Sequence, residues 1–311
     1  MNTQTKVRHR KKISIRKALS RDWQLYVMLI LPIAFYIIFM YGPMYGVIIA
    51  FKDYNIFAGI AKSEWVGFDV FREIFKMPEF YRALRNTLTL NLLGLILGFP
   101  APILLAVMLN EVRNSAFKRV SQSILYLPHF LSWVIIGGLA TQIFAPQGII
   151  NYIIKSFGGG EVQFLSNKPL WIAVYQIVGI WHGMGWNAII YLAAITGISG
   201  DIYEAAELDG CSRVKMIYKI TIPSIMPTIV IMLVINLGKI ISIAFDPPYV
   251  LGNSLVEDVS DVISTFVYRV GLKSADYSTA TAVGLFQSIV STVLIIVSNI
   301  VAKALGEEGL W

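Results

Sequence analysis

Long apolar runs without Asp, Glu, Lys or Arg alternate along the chain with short charged stretches: 24–51, 86–110, 120–154, 169–200, 220–238 and 277–302. A helix needs about 20 mainly apolar residues to cross about 30 Å of hydrocarbon. The pattern therefore predicts six spanning helices, near 24–50, 84–110, 122–145, 170–195, 223–245 and 279–303. That is an all-α, multi-pass membrane bundle. Pro32, Pro43, Pro100, Pro102 and Pro128 fall inside these runs. Proline is tolerated there when neighbouring helices satisfy the freed carbonyls, so a kinked and closely packed bundle is expected. The first run exceeds the roughly 7–15 apolar residues of a signal peptide, and no small-x-small cleavage site follows it. It is expected to stay as an anchor.

Composition agrees with the pattern. Of 311 residues, 56% are hydrophobic and 14% charged, against about 45–50% and about 25% in soluble domains. This excludes disorder and argues against a soluble enzyme. A single cysteine, Cys211, excludes a disulfide framework and a cysteine-based zinc site. Three scattered histidines, His9, His129 and His182, are too few for a histidine-rich metal centre.

The formal net charge of +7 is explained by where the cations lie. With six spans, both termini share a side with the 111–121 and 196–222 loops. That side holds 15 Lys and Arg, eight of them in residues 1–23, and the opposite loops hold 9. Arg85 sits at a boundary, and Lys239 falls inside the predicted fifth helix. Positive loops stay inside, so both termini are expected in the cytoplasm. The basic stretch 1–23 then acts as a topological signal drawn to anionic membrane lipid, and nucleic acid is not indicated. The organisation expected is a basic segment 1–23, a membrane domain 24–303 and a short tail 304–311.

Missing motifs narrow the chemistry. There is no G-x-x-x-x-G-K-[ST] loop, no H-E-x-x-H and no G-x-S-x-G. The predicted spans hold no Asp or Glu, whereas ion-coupled carriers commonly place carboxylates or histidines there as relays. A carrier using His182 and Lys239 remains as an alternative, and so does a structural or sensory membrane protein.

The cytoplasmic loop before the fifth span is the most informative segment. Asp201 and Glu204 have the spacing of a capping box, which starts a short helix. Gly210 suits its left-handed terminator. A second short helix fits 212–220, and Pro223 suits the first turn of the next span. The residues alone allow a rigid element that docks on another protein, with Ala205 and Ala206 small enough for close approach, or a plain connector.

Glu204-Ala205-Ala206, then Gly210, then Ile220-x-Ile222-Pro223 closely resembles the EAA signature of ABC importer permeases, with Ile222 where leucine is usual. The resemblance extends over nearly the whole chain. Asn86-Thr87-Leu88, Gly98-Phe99-Pro100-Ala101-Pro102-Ile103, Leu109-Asn110-Glu111-Val112-Arg113, Phe117-Lys118-Arg119 and Tyr126-Leu127-Pro128-His129-Phe130-x-Ser132-Trp133 are similar to the binding-protein-dependent sugar permeases, in the branch for complex oligosaccharides. The resemblance implies a six-helix type I (MetI-like) ABC importer permease with no catalytic residue of its own. It also implies a second homologous permease, two copies of an ATPase that binds ATP and magnesium, and an extracellular solute-binding protein that delivers the oligosaccharide. Loop 196–222 would be the coupling loop, with Glu204, Ala205, Ala206, Asp209 and Gly210 contacting the ATPase. An importer of another solute on the same fold stays open.

Candidates for a sugar path are less defined. Trp171, Tyr175, His182 and Trp186 share one helical sector, at 100° per residue. Rings stack on sugar faces, but an interfacial aromatic belt would give the same stripe. His182, Trp186 and Asn187, with Gly183 between them, lie deeper than the belt. Asn236 and Lys239 are three residues apart, on one helix face. Lys239 either lines the path or snorkels and pairs with Asp246. Gly42/Gly46, Gly94/Gly98 and Gly179/Gly183 match the close-packing spacing, a weak signal among 24 glycines. In the external segment, residues 68–77 suggest an amphipathic helix that either docks the binding protein or shields the bundle.

Overall fold

A computed structural model describes residues 21–304 together with 306, 309 and 310. Residues 1–20 of the basic stretch, and 305, 307, 308 and 311 of the tail, lie outside the described residues. Among the described residues five helices are long and apolar enough to cross a membrane, and a sixth span results if a pair bent by 60° is taken as one. The first, α1 (Trp23–Phe51), has no buried residue before its last turns, so its apolar surface suits lipid or another apolar partner rather than water. The second, α2, is Pro78–Glu111.

The helix expected over 122–145 is interrupted. Helix α3 (Ser115–Tyr126) is capped by Asn114, whose Oδ1 accepts from the N–H groups of Ala116 and Phe117, each at 3.0 Å. A 3-10 turn, Leu127–Phe130, follows, and Leu131 is extended. Ser132 then caps a new helix, α4 (Trp133–Phe144). The break has a backbone cause: Pro128 lacks the N–H that would continue the ladder.

Helix α5 (Lys168–Thr196) is the central column of the fold. A Cβ at Gly185 would lie 1.9 Å from the Leu125 carbonyl oxygen, so only glycine lets the end of α3 come this close. After α6 (Gly200–Leu208), the chain runs through α7 (Arg213–Ser224) into α8 (Met226–Gly238), bent by 60° at Ile225. Pro227, which has no N–H to give to the preceding turn, lies in the first turn of α8. The first-turn proline is thus Pro227, and Pro223 belongs to α7. The last helix, α9 (Tyr277–Ala304), runs the length of the bundle.

Three apolar clusters hold these parts together. One joins Ala106, Ala188, Tyr191 and Ile225 of α2, α5 and the α7–α8 bend. A second gathers Leu90, Ile136, Trp171, Val174 and Leu251. The third joins Ala50, Ile74, Phe80, Phe266 and Val283. Ile74 belongs to the short helix Asp69–Ile74, which with Val70 and Phe71 packs into this cluster. That face therefore covers the bundle, and Phe68 and Phe75 remain exposed. Beside it, β1 (Lys52–Asp53) pairs antiparallel with β2 (Glu64–Trp65).

Candidate functional site

Two regions carry the candidate chemistry. The first is the loop around α6. Ser199, not Asp201, caps the helix, its Oγ accepting from the Asp201 N–H at 3.3 Å. At the other end the Cys211 N–H donates to the Ala206 carbonyl (2.9 Å) and the Gly210 N–H to that of Glu207 (3.0 Å). This pair of bonds is a Schellman closure, which needs a left-handed residue. Gly210 supplies it at φ 72°. Helix α6 has no buried residue; Glu204, Ala205, Asp209 and Gly210 are exposed, Ala206 is half-buried and Leu208 is 90% exposed.

This exposed helix is nevertheless braced. The Tyr203 hydroxyl lies 2.9 Å from the buried Thr221 hydroxyl on α7. Arg213, at the start of α7, donates to Glu111 at the end of α2 at 3.3 Å. The second helix expected over 212–220 runs on to Ser224, capped by Ser212.

The second region is a cavity of about 430 Å³ between α2, α5 and α8. Gly183 and Asn187 line it, as do Asn236 and Lys239. His182 and Trp186 do not. His129 stacks on Trp186 at 4.6 Å, and Trp133 packs on His182 at 4.5 Å, both from the broken third segment. The cavity face of α5 runs through Gln176, Ile180, Gly183 and Asn187, one residue step or 100° round from the aromatic stripe. Trp171 is fully buried, and its indole N–H donates to the Leu251 carbonyl at 2.8 Å, so it is core and not interfacial belt. Tyr175 stacks on Trp171 and reaches the cavity.

Lys239 is not inside a helix. Helix α8 ends at Gly238, and Lys239 is its C-cap. The turn that follows is clamped from two sides. Asn91 of α2 donates to the carbonyls of Ile240 (2.7 Å) and Ser242 (3.2 Å), and Gln287 of α9 donates to that of Ile241 (2.9 Å). No ion pair among the described residues includes Lys239, so the pairing with Asp246 is not made.

Asn91 and Gln176 escaped the sequence reading. The signal was there, since both are amides in otherwise apolar spans, where a polar side chain marks a functional position. Gly94, Gly98, Gly179 and Gly183 also line the cavity. A Cβ on Gly179 would meet nothing within 4 Å, so this glycine leaves space open and does not bring helices together.

A bundle of apolar helices with a polar-lined cavity and an exposed, braced loop fits a multi-pass membrane permease. Residues 92–307 match the family described as "Binding-protein-dependent transport system inner membrane component", and the chain belongs to it. It is a membrane permease of ABC importers, in which the ATPase is a separate subunit. Protein LplB of Bacillus subtilis (strain 168) is 43% identical over 97% of this chain and 95% of its own length. The polygalacturonan/rhamnogalacturonan transport system permease YteP of the same organism is 41% identical over 97% and 94%. A chain in the crystal structure of a bacterial alginate ABC transporter, in complex with an alginate pentasaccharide-bound periplasmic protein, superposes with a TM-score of 0.87. It is 40% identical and covers 95% of this chain and 99% of that one. The ion-coupled carrier is not favoured, and its proposed relay residue His182 lies outside the cavity lining.

Proposed function

We propose that this chain is one half of a heterodimeric permease that imports an oligosaccharide across the bacterial cytoplasmic membrane, with both termini inside. A second, homologous permease completes the pathway. Two ATPase copies hold ATP and magnesium on the cytoplasmic face, and an extracellular binding protein delivers the sugar. Relatives named for polygalacturonan/rhamnogalacturonan transport and for alginate transport support the substrate class.

The observation that carries the coupling is α6: an exposed helix with Glu204, Ala205 and Leu208 on its surface, closed at Gly210 and tied to α7 through Tyr203, the start of α7 being tied in turn to α2 through Arg213. An unsupported helix would bend when pushed. A braced one passes displacement on. Closure of the ATPase dimer pushes α6; the Arg213–Glu111 pair carries the motion to α2, and the Tyr203–Thr221 bond carries it to α7 and α8. Since α2 and α8 are two walls of the cavity, its access switches between the two sides of the membrane, a rigid-body transition between two states. Gly183, Asn187, Asn236 and Lys239 form this chain's share of the path, while His182 and Trp186 brace α5 against the broken third segment.

Affinity purification of the tagged protein from its native membrane tests the assembly. The expected result is one copy each of this chain and a second permease with two copies of an ATPase. A chain recovered alone, and stable alone, overturns the proposal.

A further inference from the structure

A second hollow, of about 360 Å³, lies in the segment between α8 and α9, apart from both regions described so far. The importer reading places this segment outside the cell. One part of the lining is a fixed ionic cluster. The buried Asp261 carboxylate accepts from the Thr265 hydroxyl at 2.8 Å, pairs with Arg269 and lies 3.4 Å from Arg82 of α2. Another part is aromatic. Tyr249, about half exposed, stacks on Phe245 at 4.5 Å and meets Tyr268 edge-on at 5.5 Å. Lys273 lies over the Tyr268 ring at 5.4 Å and takes part in no ion pair among the described residues.

The backbone is shaped to make this wall. Tyr268–Lys273 is a π-helical turn, closed by the Ser274 N–H donating to the Arg269 carbonyl, five residues back, at 3.1 Å. Residues five apart then come onto one face, which brings Lys273 over Tyr268; in an α-helix they would point about 140° apart. Such turns are rare and frequently occur at functional sites. This one is firmly seated. A Cβ on buried Gly271 would lie 2.6 Å from the Ala280 Cβ of α9, so the turn rests directly on that helix.

We infer that this hollow is a second saccharide subsite, holding an outlying ring of the oligosaccharide while another part of it enters the cavity. This rests on the importer reading above and adds a site to it. A sugar ring has an apolar C–H face and hydroxyls that both donate and accept. Tyr249 and Tyr268 offer aromatic surface to that face. Ser254 and Glu257 can accept from hydroxyls, and Lys273 can donate to them. The two sites are neighbours. Ser242 lines the cavity, and Phe245, on which Tyr249 stacks, follows within at most about 11 Å of chain. The competing explanation is that the hollow only ties this segment to α2. Asp261, Arg269 and Thr265 do so, but that role has no use for an exposed Tyr249 ring or an unpaired Lys273.

The test uses the complete complex, with its partner permease, ATPase and binding protein, in proteoliposomes. The probes are mixed di-, tri- and pentasaccharides of alginate and of oligogalacturonate. The readout is ATP-dependent uptake of the pentasaccharide relative to the shortest length transported. Every variant is paired with the same binding protein, so that protein's own length preference cancels. In Tyr249→Ala the ratio should fall about two- to tenfold, as for loss of one aromatic contact. Lys273→Ala should lower it less, and Tyr249→Phe, which keeps the ring, should match the wild type. An unchanged ratio in both alanine variants overturns the subsite, as does a wild type that takes up no pentasaccharide. An equal loss at every length also overturns it and marks the hollow as a contact for the binding protein. These results leave the importer reading standing. Absence of ATP-dependent uptake of every saccharide by an intact wild-type complex overturns both.

Discussion

The coupling loop and the cavity are built in opposite ways. Helix α6 is assembled from neighbours in sequence: Ser199 caps it, Gly210 closes it, and Tyr203 ties it to α7, whose first residue, Arg213, reaches α2. The cavity is assembled from residues far apart in sequence, Asn91, Gln176, Asn187, Asn236 and Lys239, brought together by three helices. A local element keeps its shape while it moves, which suits a lever. A composite element changes shape when its walls shift, which suits a gate. Substitutions in the loop should therefore change how much sugar moves per ATP, and substitutions in the cavity should change which sugar moves and at what concentration.

The largest effect is expected at Gly210. Proline cannot take φ 72° and costs about 3 kcal/mol or more where its geometry is wrong. Gly210→Pro should leave the chain in the membrane but lower uptake at least about tenfold, with hydrolysis no longer following the sugar. Gly210→Ala has room, since nothing lies within 4 Å of the added Cβ. It carries only the left-handed penalty of about 1–2 kcal/mol and should be a milder version of the same defect. Both are read by measuring uptake and phosphate release together.

Next is Asn91→Leu, which strips the Ile240 and Ser242 carbonyls of their donor. Leaving such groups unpaired costs about 1–3 kcal/mol and loosens the Lys239 turn. The half-saturating sugar concentration should rise several-fold while sugar moved per ATP stays constant. Tyr203→Phe should do the reverse. It removes one hydrogen bond to buried Thr221, worth about 1 kcal/mol, and should lower sugar per ATP a few-fold at unchanged half-saturation. If Tyr203→Phe shifts half-saturation instead, the division between lever and gate fails.

The smallest effect lies outside both regions. A hydrogen bond from Lys168, with its charge and those of Arg82 and Arg85, holds the exposed Asp258 carboxyl below the ordinary value of 3.8. A carboxyl depressed in the folded state contributes stability that is complete above that value and lost as the pH falls through the lower one. Asp258→Asn should therefore lower the thermal midpoint slightly at neutral pH, and the difference should vanish in strong acid. Solvent and salt screen this surface pair, so high ionic strength should shrink the difference too.

Much of the loop was legible in the sequence, because caps and left-handed terminators are local chemistry. The helix termination at Gly210 follows from the residue alone. The cap did not, since Ser199 and Asp201 both fit and only the backbone decides between them. The cavity was legible only as isolated polar residues in apolar spans. Asn236 and Lys239 stood out by sequence, but a single helical stripe could not separate Gly183 and Asn187 from His182 and Trp186. What separates them is the break at Pro128, which lays His129 and Trp133 across one face of α5 and leaves the next face to the cavity. The end of α8 was hidden for a similar reason. Ile240 and Ile241 continue the apolar run, yet Asn91 and Gln287 take their carbonyls and turn the chain.

The central claim is that the α6 loop, through its turn at Gly210, joins ATP hydrolysis to sugar movement. The most direct measurement follows ATP hydrolysis and ATP-dependent oligosaccharide uptake together in proteoliposomes holding the complete complex, for the wild type and for Gly210→Pro. The account predicts a fixed ratio of sugar to ATP in the wild type, and hydrolysis without uptake in an intact Gly210→Pro complex. A Gly210→Pro complex that assembles and moves sugar at the wild-type ratio would contradict it.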